Sequence, residues 1–148
     1  MALSIPYVVV TILLDIAHPF PKDINVAFPT SLIFYPSIGL LVEILFHVIP
    51  LALILFPLRF VFKTVNSSKL SWLAIIIVSS LEPTYQIAYL RDDAMIFIIA
   101  VWVNLYLFNL TQLYFFKTAD FITMFGIRLL YYLIWHIAWA EIRLALLF

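Results

Sequence analysis

The sequence predicts an all-α protein, a polytopic bundle of transmembrane helices with four full spans and a short apolar segment near the N-terminus as a candidate fifth. Two observations lead to this prediction. Of the 148 residues, 66% are hydrophobic and only 11% are charged, whereas soluble domains carry roughly 45–50% apolar and about 25% charged residues. The apolar residues also form four runs that reach the length of a bilayer-spanning helix, about 20 residues.

The composition excludes several classes of protein. A chain of this length cannot bury so much apolar surface in a water-soluble fold, because the fraction of surface that folding buries is limited at this size. Eight basic and eight acidic side chains give a net charge of zero, which argues against binding to nucleic acid. The absence of cysteine excludes disulfides, iron–sulfur sites and a thiol nucleophile. We therefore expect the lipid bilayer to surround the chain.

The predicted spans follow the apolar runs, and they make residues 1–148 a single integral membrane domain. The spans cover residues 31–56, 70–90, 94–116 and 121–145. The apolar segment 3–17, about 15 residues long, contains Asp15 and reads either as half a span or as an interfacial helix. Loops are predicted at 18–30, 65–68, 91–93 and 117–120, where prolines, small polar residues or charges interrupt the apolar runs.

The basic residues predict the orientation of the bundle. Arg59, Lys63 and Lys69 follow the first full span without an acidic residue among them, and positive residues stay on the cytoplasmic side of a membrane. The loop after the first full span is therefore predicted inside. The 18–30 loop and the C-terminus are then expected on the non-cytoplasmic side.

Four polar side chains, one from each full span, are predicted at a similar depth. Counting about 1.5 Å per residue from the outer helix ends places Glu43, Glu82, Asn104 and His136 roughly 10–18 Å below the outer edge. Ionisable groups in hydrocarbon are costly, so each of them needs a partner. The sequence therefore predicts a polar site in the outer half of the membrane.

Helical spacing indicates which polar side chains share a face. Three sets lie at intervals of four residues: Glu43 with His47, Glu82 with Gln86, and Arg128 with Tyr132 and His136. Carboxylate and imidazole groups could hold a divalent metal and leave a position open for water. In that arrangement the catalytic residues are Glu43, Glu82 and His136, and the metal ligands are His136, His47 and Glu43.

A closed hydrogen-bond network is the alternative arrangement of the same groups. It would include Arg128, which either neutralises an acidic residue or extends to the cytoplasmic face. The remaining polar side chains of the spans would then join the helices to one another, as intramembrane amides often do. They are Tyr132, Asn104, Gln112 and Gln86.

The C-terminal third contains two further motifs. Leu110-Thr111-Gln112 precedes a span that contains Tyr132-x-x-x-His136, with Trp135 directly before the histidine. These residues resemble the Leu-Leu-Gln stretch and the Phe-x-x-x-His motif of the CPBP (CAAX-type) intramembrane metalloprotease family. The segments around Glu43 and Glu82 each keep one glutamate and the aromatic residue of that family's first motif, Glu-Glu-x-x-Phe-Arg.

The resemblance implies a helical membrane fold in which glutamate activates a metal-bound water and the protein cleaves substrates within the bilayer. The chain departs from the family's motifs. Neither segment keeps the glutamate pair or its arginine, and no His-x-x-x-Asn or His-x-x-x-Asp motif follows His136. The chain therefore resembles a reduced or degenerate relative of the family.

Three functions remain open from the sequence. The first is a non-catalytic membrane subunit or scaffold, with lipid and other membrane proteins as partners. The second is an active metalloendopeptidase that holds zinc with Glu43, Glu82 and His136. The third is a haem- or chlorophyll-binding subunit with His47 and His136 as axial ligands, because neutral imidazole is a ready ligand.

Overall fold

A computed structural model describes residues 2–64, 66–90 and 93–148. Of these residues, 84% are helical, and no β-strand occurs in these three ranges. The predicted all-α class is therefore confirmed. Val65 lies outside the described residues, as do positions 91 and 92, so the predicted loops at 65–68 and 91–93 are described only in part.

Six α-helices follow one another in the described parts of the chain. They are α1 (Ile5–Ala17), α2 (Ser31–Val61), α3 (Ser67–Val78), α4 (Leu81–Gln86), α5 (Met95–Thr118) and α6 (Phe121–Leu146). Short 3₁₀ turns cover Ala2–Ser4 before α1, Lys22–Ile24 in the loop after α1, and Ile87–Tyr89 after α4. The helices α2, α5 and α6 are long and apolar enough to cross a membrane, and they correspond to the predicted spans 31–56, 94–116 and 121–145.

The predicted span 70–90 is helical, but it consists of two shorter helices. The segment breaks at Ser79 and Ser80, between α3 and α4. Pro83 is one reason, because proline has no N–H to donate to the carbonyl four residues earlier, which here belongs to Ser79. The predicted fifth segment, 3–17, forms α1, whose 13 residues reach about 20 Å and thus less than the roughly 30 Å of hydrocarbon.

Side chains cap the helices that follow two of the predicted loops. Asn66 Oδ1 accepts a hydrogen bond from the Ser68 amide at 2.8 Å, so α3 already begins at Ser67. Asp120 Oδ1 accepts from the Thr123 amide at 2.7 Å at the start of α6. This bond holds the pKa of Asp120 below its usual range. Such side-chain caps satisfy amides that have no partner within the helix.

Two apolar clusters form the core, and the polar site lies between them. The first joins α1, the beginning of α2 and the middle of α6 through residues such as Val8, Tyr35 and Tyr131. The second joins the later part of α2, α3 and the beginning of α6 through Leu51, Ala74 and Met124. Helix α5 contributes to both clusters, which makes it the central helix of the bundle.

Two of the long helices widen into π-helical segments, Glu43–Val48 in α2 and Leu133–Trp139 in α6. A π-helical turn contains an extra residue, and such turns occur frequently at functional sites. The first segment carries Glu43 and His47, and the second carries His136. The histidines that the sequence analysis selected on α2 and α6 thus lie on irregular parts of the helices.

Gly39 allows α2 to approach α6 closely. A Cβ atom at this position would lie 3.1 Å from Cε2 and 3.3 Å from Cδ2 of Tyr132. The absence of a side chain lets the Tyr132 ring lie directly against the α2 backbone. Gly39 therefore brings α6 within reach of the polar groups on α2.

Candidate functional site

Glu43 is a fully buried carboxylate with three hydrogen-bond donors around it. Its Oε1 accepts from Arg128 Nε at 2.5 Å and from Gln112 Nε2 at 2.5 Å. Its Oε2 accepts from His47 Nδ1 at 2.5 Å. One side chain of the π-helical segment in α2 thereby connects three helices, α2, α5 and α6.

Glu82 approaches the same guanidinium from α4. Its two oxygens accept from Arg128 Nη1 at 2.9 Å and Nη2 at 2.8 Å. This two-bonded fork is the strongest geometry for an arginine–carboxylate pair. Gln86, one turn later, donates Nε2 to Glu82 Oε1 at 2.8 Å, so the predicted pairing of these two residues is present.

Arg128 is the centre of the cluster and is 1% exposed. Besides the two glutamates, it donates to Tyr132 Oη at 3.2 Å, Gln112 Oε1 at 3.0 Å and Asn109 Oδ1 at 3.4 Å. Each of the five N–H groups that a guanidinium carries therefore has an acceptor. The geometry is that of the closed network, the second of the two arrangements derived from the sequence.

His47 lies between the two carboxylates. Its Nδ1 donates to Glu43, and its Nε2 is 3.8 Å from Glu82 Oε2. This Nε2 has no hydrogen-bond partner among the described residues. Two carboxylates thus face one guanidinium, and His47 lies beside both carboxylates.

The described part of the chain contains no group of three His, Asp or Glu side chains arranged to hold a metal ion. Glu43 and Glu82 both bind Arg128, and His136 makes its contacts elsewhere. The three residues predicted to be catalytic are thus not brought together as a ligand set. His47 and Glu43 are adjacent, but they form a hydrogen-bonded pair with each other.

His136 belongs to a neighbouring aromatic cluster. Its Nδ1 is 2.7 Å from Asn25 Oδ1. Its ring stacks on Tyr35 with centroids 4.2 Å apart, and it meets Tyr132 edge to face at 4.9 Å. The ring lines a cavity that His47 does not line, so the two histidines do not face one common space as axial ligands of a haem.

Asn104 joins α5 to α1, which is the structural role expected of an intramembrane amide. Its Nδ2 donates to Thr11 Oγ1 at 2.9 Å and to the Tyr7 carbonyl at 3.1 Å. Thr11 in turn contacts the Tyr131 hydroxyl at 2.7 Å. Asn104 therefore lies outside the Arg128 cluster, although its estimated depth is similar.

A second buried ion pair was missed by the sequence analysis. Arg143 donates Nε to Asp15 Oδ2 at 2.8 Å and Nη2 to Asp15 Oδ1 at 2.7 Å. Trp139 Nε1 also donates to Asp15, at 2.7 Å, and Arg143 reaches the Phe20 carbonyl at 2.7 Å. Asp15 in an apolar segment indicates that a buried partner is needed, but the spacing of residues does not identify Arg143 on α6 as that partner.

Asn109 donates a hydrogen bond to a backbone carbonyl that Pro83 leaves without its helical donor. Its Nδ2 donates to the carbonyl of Ser79 at 3.5 Å, which is the carbonyl that loses its helical donor at Pro83. Freed carbonyls inside membrane proteins are commonly satisfied by a neighbouring helix in this way. Asn109 thus links the break between α3 and α4 to the Arg128 cluster.

We expect Asn109→Leu to lower the free energy of unfolding by about 1–2 kcal/mol, because a buried carbonyl is left without a donor. In a Pro83→Ala background the new amide can donate to Ser79, so the same substitution should cost less. A double-mutant cycle measured by thermal unfolding in detergent tests this coupling. An equal cost in both backgrounds would show that Asn109 does not compensate for the proline.

A cavity of about 460 Å³ lies beside the cluster. Its walls come from α1, the 18–30 loop, the end of α4, α5 and α6, and they are mainly apolar and aromatic. Glu82, Arg128, Tyr132 and His136 reach its surface. A volume of this size is typical of small-molecule sites.

Comparison of the chain with protein-family models, with curated proteins and with solved structures gives no match.

Proposed function

We propose that the chain is a non-catalytic subunit or scaffold of a membrane protein complex, a reduced relative of the CPBP-type intramembrane proteases. One observation carries this proposal: both Glu43 and Glu82 are bonded to Arg128. A hydrolytic metal site needs ligands that are free to hold the ion and an open position for water. In this chain both carboxylates are bonded to one internal cation, Arg128, and serve to join the helices.

The exposure of α2 supports a membrane-protein partner. Of the most apolar 18-residue stretch of α2, 22% is buried, against 39% in α5 and in α6. Phe56 is 81% exposed and Leu53 is 69% exposed. An apolar surface of this kind needs lipid or another protein against it, and α2 is the long helix that its own chain covers least.

Photocrosslinking in the native membrane tests for a partner. A photoreactive phenylalanine analogue at Phe56 is expected to give a discrete adduct with another membrane protein. The matched control is the same analogue at Ile96, which is 79% exposed on α5 and should give lipid adducts. If both positions give the same pattern, or if Phe56 gives only lipid adducts, the subunit proposal is wrong.

Elemental analysis and absorbance separate the other two functions from this one. We expect the purified protein to contain no stoichiometric zinc and to be colourless, and we expect His136→Ala to change neither result. A metalloprotease would contain zinc that is lost in this variant, together with cleavage of a membrane substrate. A haem or chlorophyll subunit would absorb visible light.

We also propose that α3 and α4 together make a fourth crossing. Lys117, at the end of α5, donates to Ser68 at 3.2 Å, so α3 begins at that end of the bundle. Asp93, which comes between α4 and α5 in the sequence, lies at the opposite end of α5 from Lys117, and its carboxylate is 3.5 Å from His18. The broken segment therefore runs the length of α5, and the C-terminus is proposed on the same side as the 18–30 loop.

Single cysteine variants test the orientation of α2, from which the proposed sides of the other helix ends follow, because the natural chain has no cysteine. In intact cells a membrane-impermeant maleimide should label Asp23→Cys but not Lys63→Cys. After the membrane is made permeable, both variants should react. Labelling of Lys63→Cys from outside the intact cell would reverse the proposed orientation, and labelling of both would contradict a crossing by α2.

A further inference from the structure

The cavity beside the Arg128 cluster is large enough for a small molecule and is lined chiefly by apolar groups. Phe108, Leu105 and Trp135 form part of its wall, and the total volume is about 460 Å³. Ligand sites combine such walls with a few well-placed polar groups that fix orientation. The polar groups of this cavity therefore indicate which class of ligand it suits.

Of the charged residues that line the cavity, Glu82 and Arg128 are paired with each other, whereas Asp23 is an exposed residue of the 18–30 loop. Glu82 and Arg128 bind each other through two hydrogen bonds, so neither is free to form a new ion pair. A ligand carboxylate or ammonium group would have to break this fork inside a largely apolar space, where an unpaired charge is costly. The cavity therefore favours an uncharged ligand.

One hydrogen-bond donor remains available on Tyr132. Its hydroxyl oxygen accepts from Arg128 Nη1 at 3.2 Å, and the phenolic hydrogen has no acceptor among the described residues. A tyrosine hydroxyl can donate and accept at the same time. Tyr132 can thus donate to a ligand oxygen while it keeps its bond to Arg128.

One acceptor remains available on His136. The oxygen of Asn25 can only accept, so the hydrogen in its 2.7 Å contact belongs to Nδ1 of His136. The neutral ring then has an unprotonated Nε2, which has no partner in the described ranges. The rings of His136 and Tyr132 are 4.9 Å apart, and both reach the cavity.

We infer that this cavity binds a lipophilic alcohol, whose hydroxyl group donates to His136 Nε2 and accepts from Tyr132. A hydroxyl is the simplest uncharged group that both donates and accepts. The hydrocarbon part of the alcohol occupies the space along Phe108, Leu105 and Trp135. This binding function goes beyond the proposed scaffold role and does not depend on it.

A photoreactive dodecanol that carries a diazirine in its chain tests the inference on the full chain in nanodiscs. We expect saturable labelling of peptides from α5 and α6 that line the cavity. Unlabelled dodecanol should compete about tenfold better than dodecane, since the alkane makes no hydrogen bonds. Dodecylammonium should compete no better than dodecane. Equal competition by alcohol and alkane would overturn the assignment of a hydroxyl ligand.

Paired variants locate the site. Tyr132→Phe and His136→Phe should each weaken dodecanol about five- to tenfold through loss of one hydrogen bond. Tyr131→Phe is the matched control, because the Tyr131 hydroxyl is bonded to Thr11, and it should leave binding unchanged. If Tyr131→Phe weakens binding as much as Tyr132→Phe, the proposed contact is wrong.

Filling the cavity gives an independent test. Val101, which lines the cavity, is changed to phenylalanine, and Val103→Phe is the control on the exposed side of the same helix. Labelling should be lost in the first variant and kept in the second. Thermal unfolding confirms that each variant is folded, and labelling that survives in folded Val101→Phe would place the alcohol elsewhere.

Discussion

Replacement of Arg128 by methionine is expected to lower the free energy of unfolding by about 3–5 kcal/mol, the cost typical of removing one partner from a buried ion pair. Arg128→Met leaves Glu43 and Glu82 facing each other in the core, where both are almost completely buried. It also removes the donors to Tyr132, Gln112 and Asn109. Thermal or denaturant unfolding in a mild detergent measures the effect.

Three further variants test whether the loss of stability comes from the charge of Arg128 or from the geometry of its hydrogen bonds. Arg128→Lys keeps the charge but cannot form the fork to Glu82, so we expect an intermediate loss of stability. Arg59→Met removes an exposed arginine and should change stability by less than about 0.5 kcal/mol. The triple variant Glu43→Gln, Glu82→Gln, Arg128→Met should recover much of the loss, because it leaves no unpaired charge. If Arg128→Met is as mild as Arg59→Met, the cluster is not a structural centre.

Asp15→Asn is expected to have the second largest effect, about 3 kcal/mol, because it leaves Arg143 buried without an anionic partner. Asp15 accepts from Arg143, Trp139 and the Phe20 amide, so the change also weakens the attachment of the 18–30 loop. We expect faster proteolysis in this loop together with the lower stability. Limited proteolysis followed by mass spectrometry locates the cleavage.

Two comparisons identify the ion pair as the cause. Trp139→Phe removes one hydrogen bond to Asp15 and should cost only about 1 kcal/mol. The double variant Asp15→Leu, Arg143→Met removes both charges, and it should be more stable than either single change. Additive losses in the double variant would contradict a direct interaction between the two side chains.

The sequence predicted the all-α class, the three long helices and most members of the polar cluster. Spacing of four residues correctly paired Glu43 with His47 and Glu82 with Gln86. These predictions succeed because hydropathy and helical rise are local properties of the chain. The break in the span 70–90 was not predicted, and the compensation of Pro83 by Asn109 depends on how two helices pack.

The position of His136 was the least predictable part of the site. Depth follows from the rise per residue, and it placed His136 level with the glutamates. Rotation about the helix axis decides contact, however, and each residue advances an α-helix by about 100°. The π-helical segment that begins at Leu133 changes the direction in which side chains after Tyr132 point about the helix axis. Arg128 and Tyr132 therefore face the cluster, whereas His136 faces Asn25 and Tyr35.

The pairing of Asp15 with Arg143 constrains the order in which the protein can assemble. The two residues are 128 positions apart in the chain, so Asp15 cannot pair with Arg143 until the chain has been synthesised through α6. Helix α1 is too short to span the bilayer, and its carboxylate is costly in hydrocarbon. We therefore expect α1 to remain at the membrane surface during synthesis and to dock onto α6 late in biogenesis.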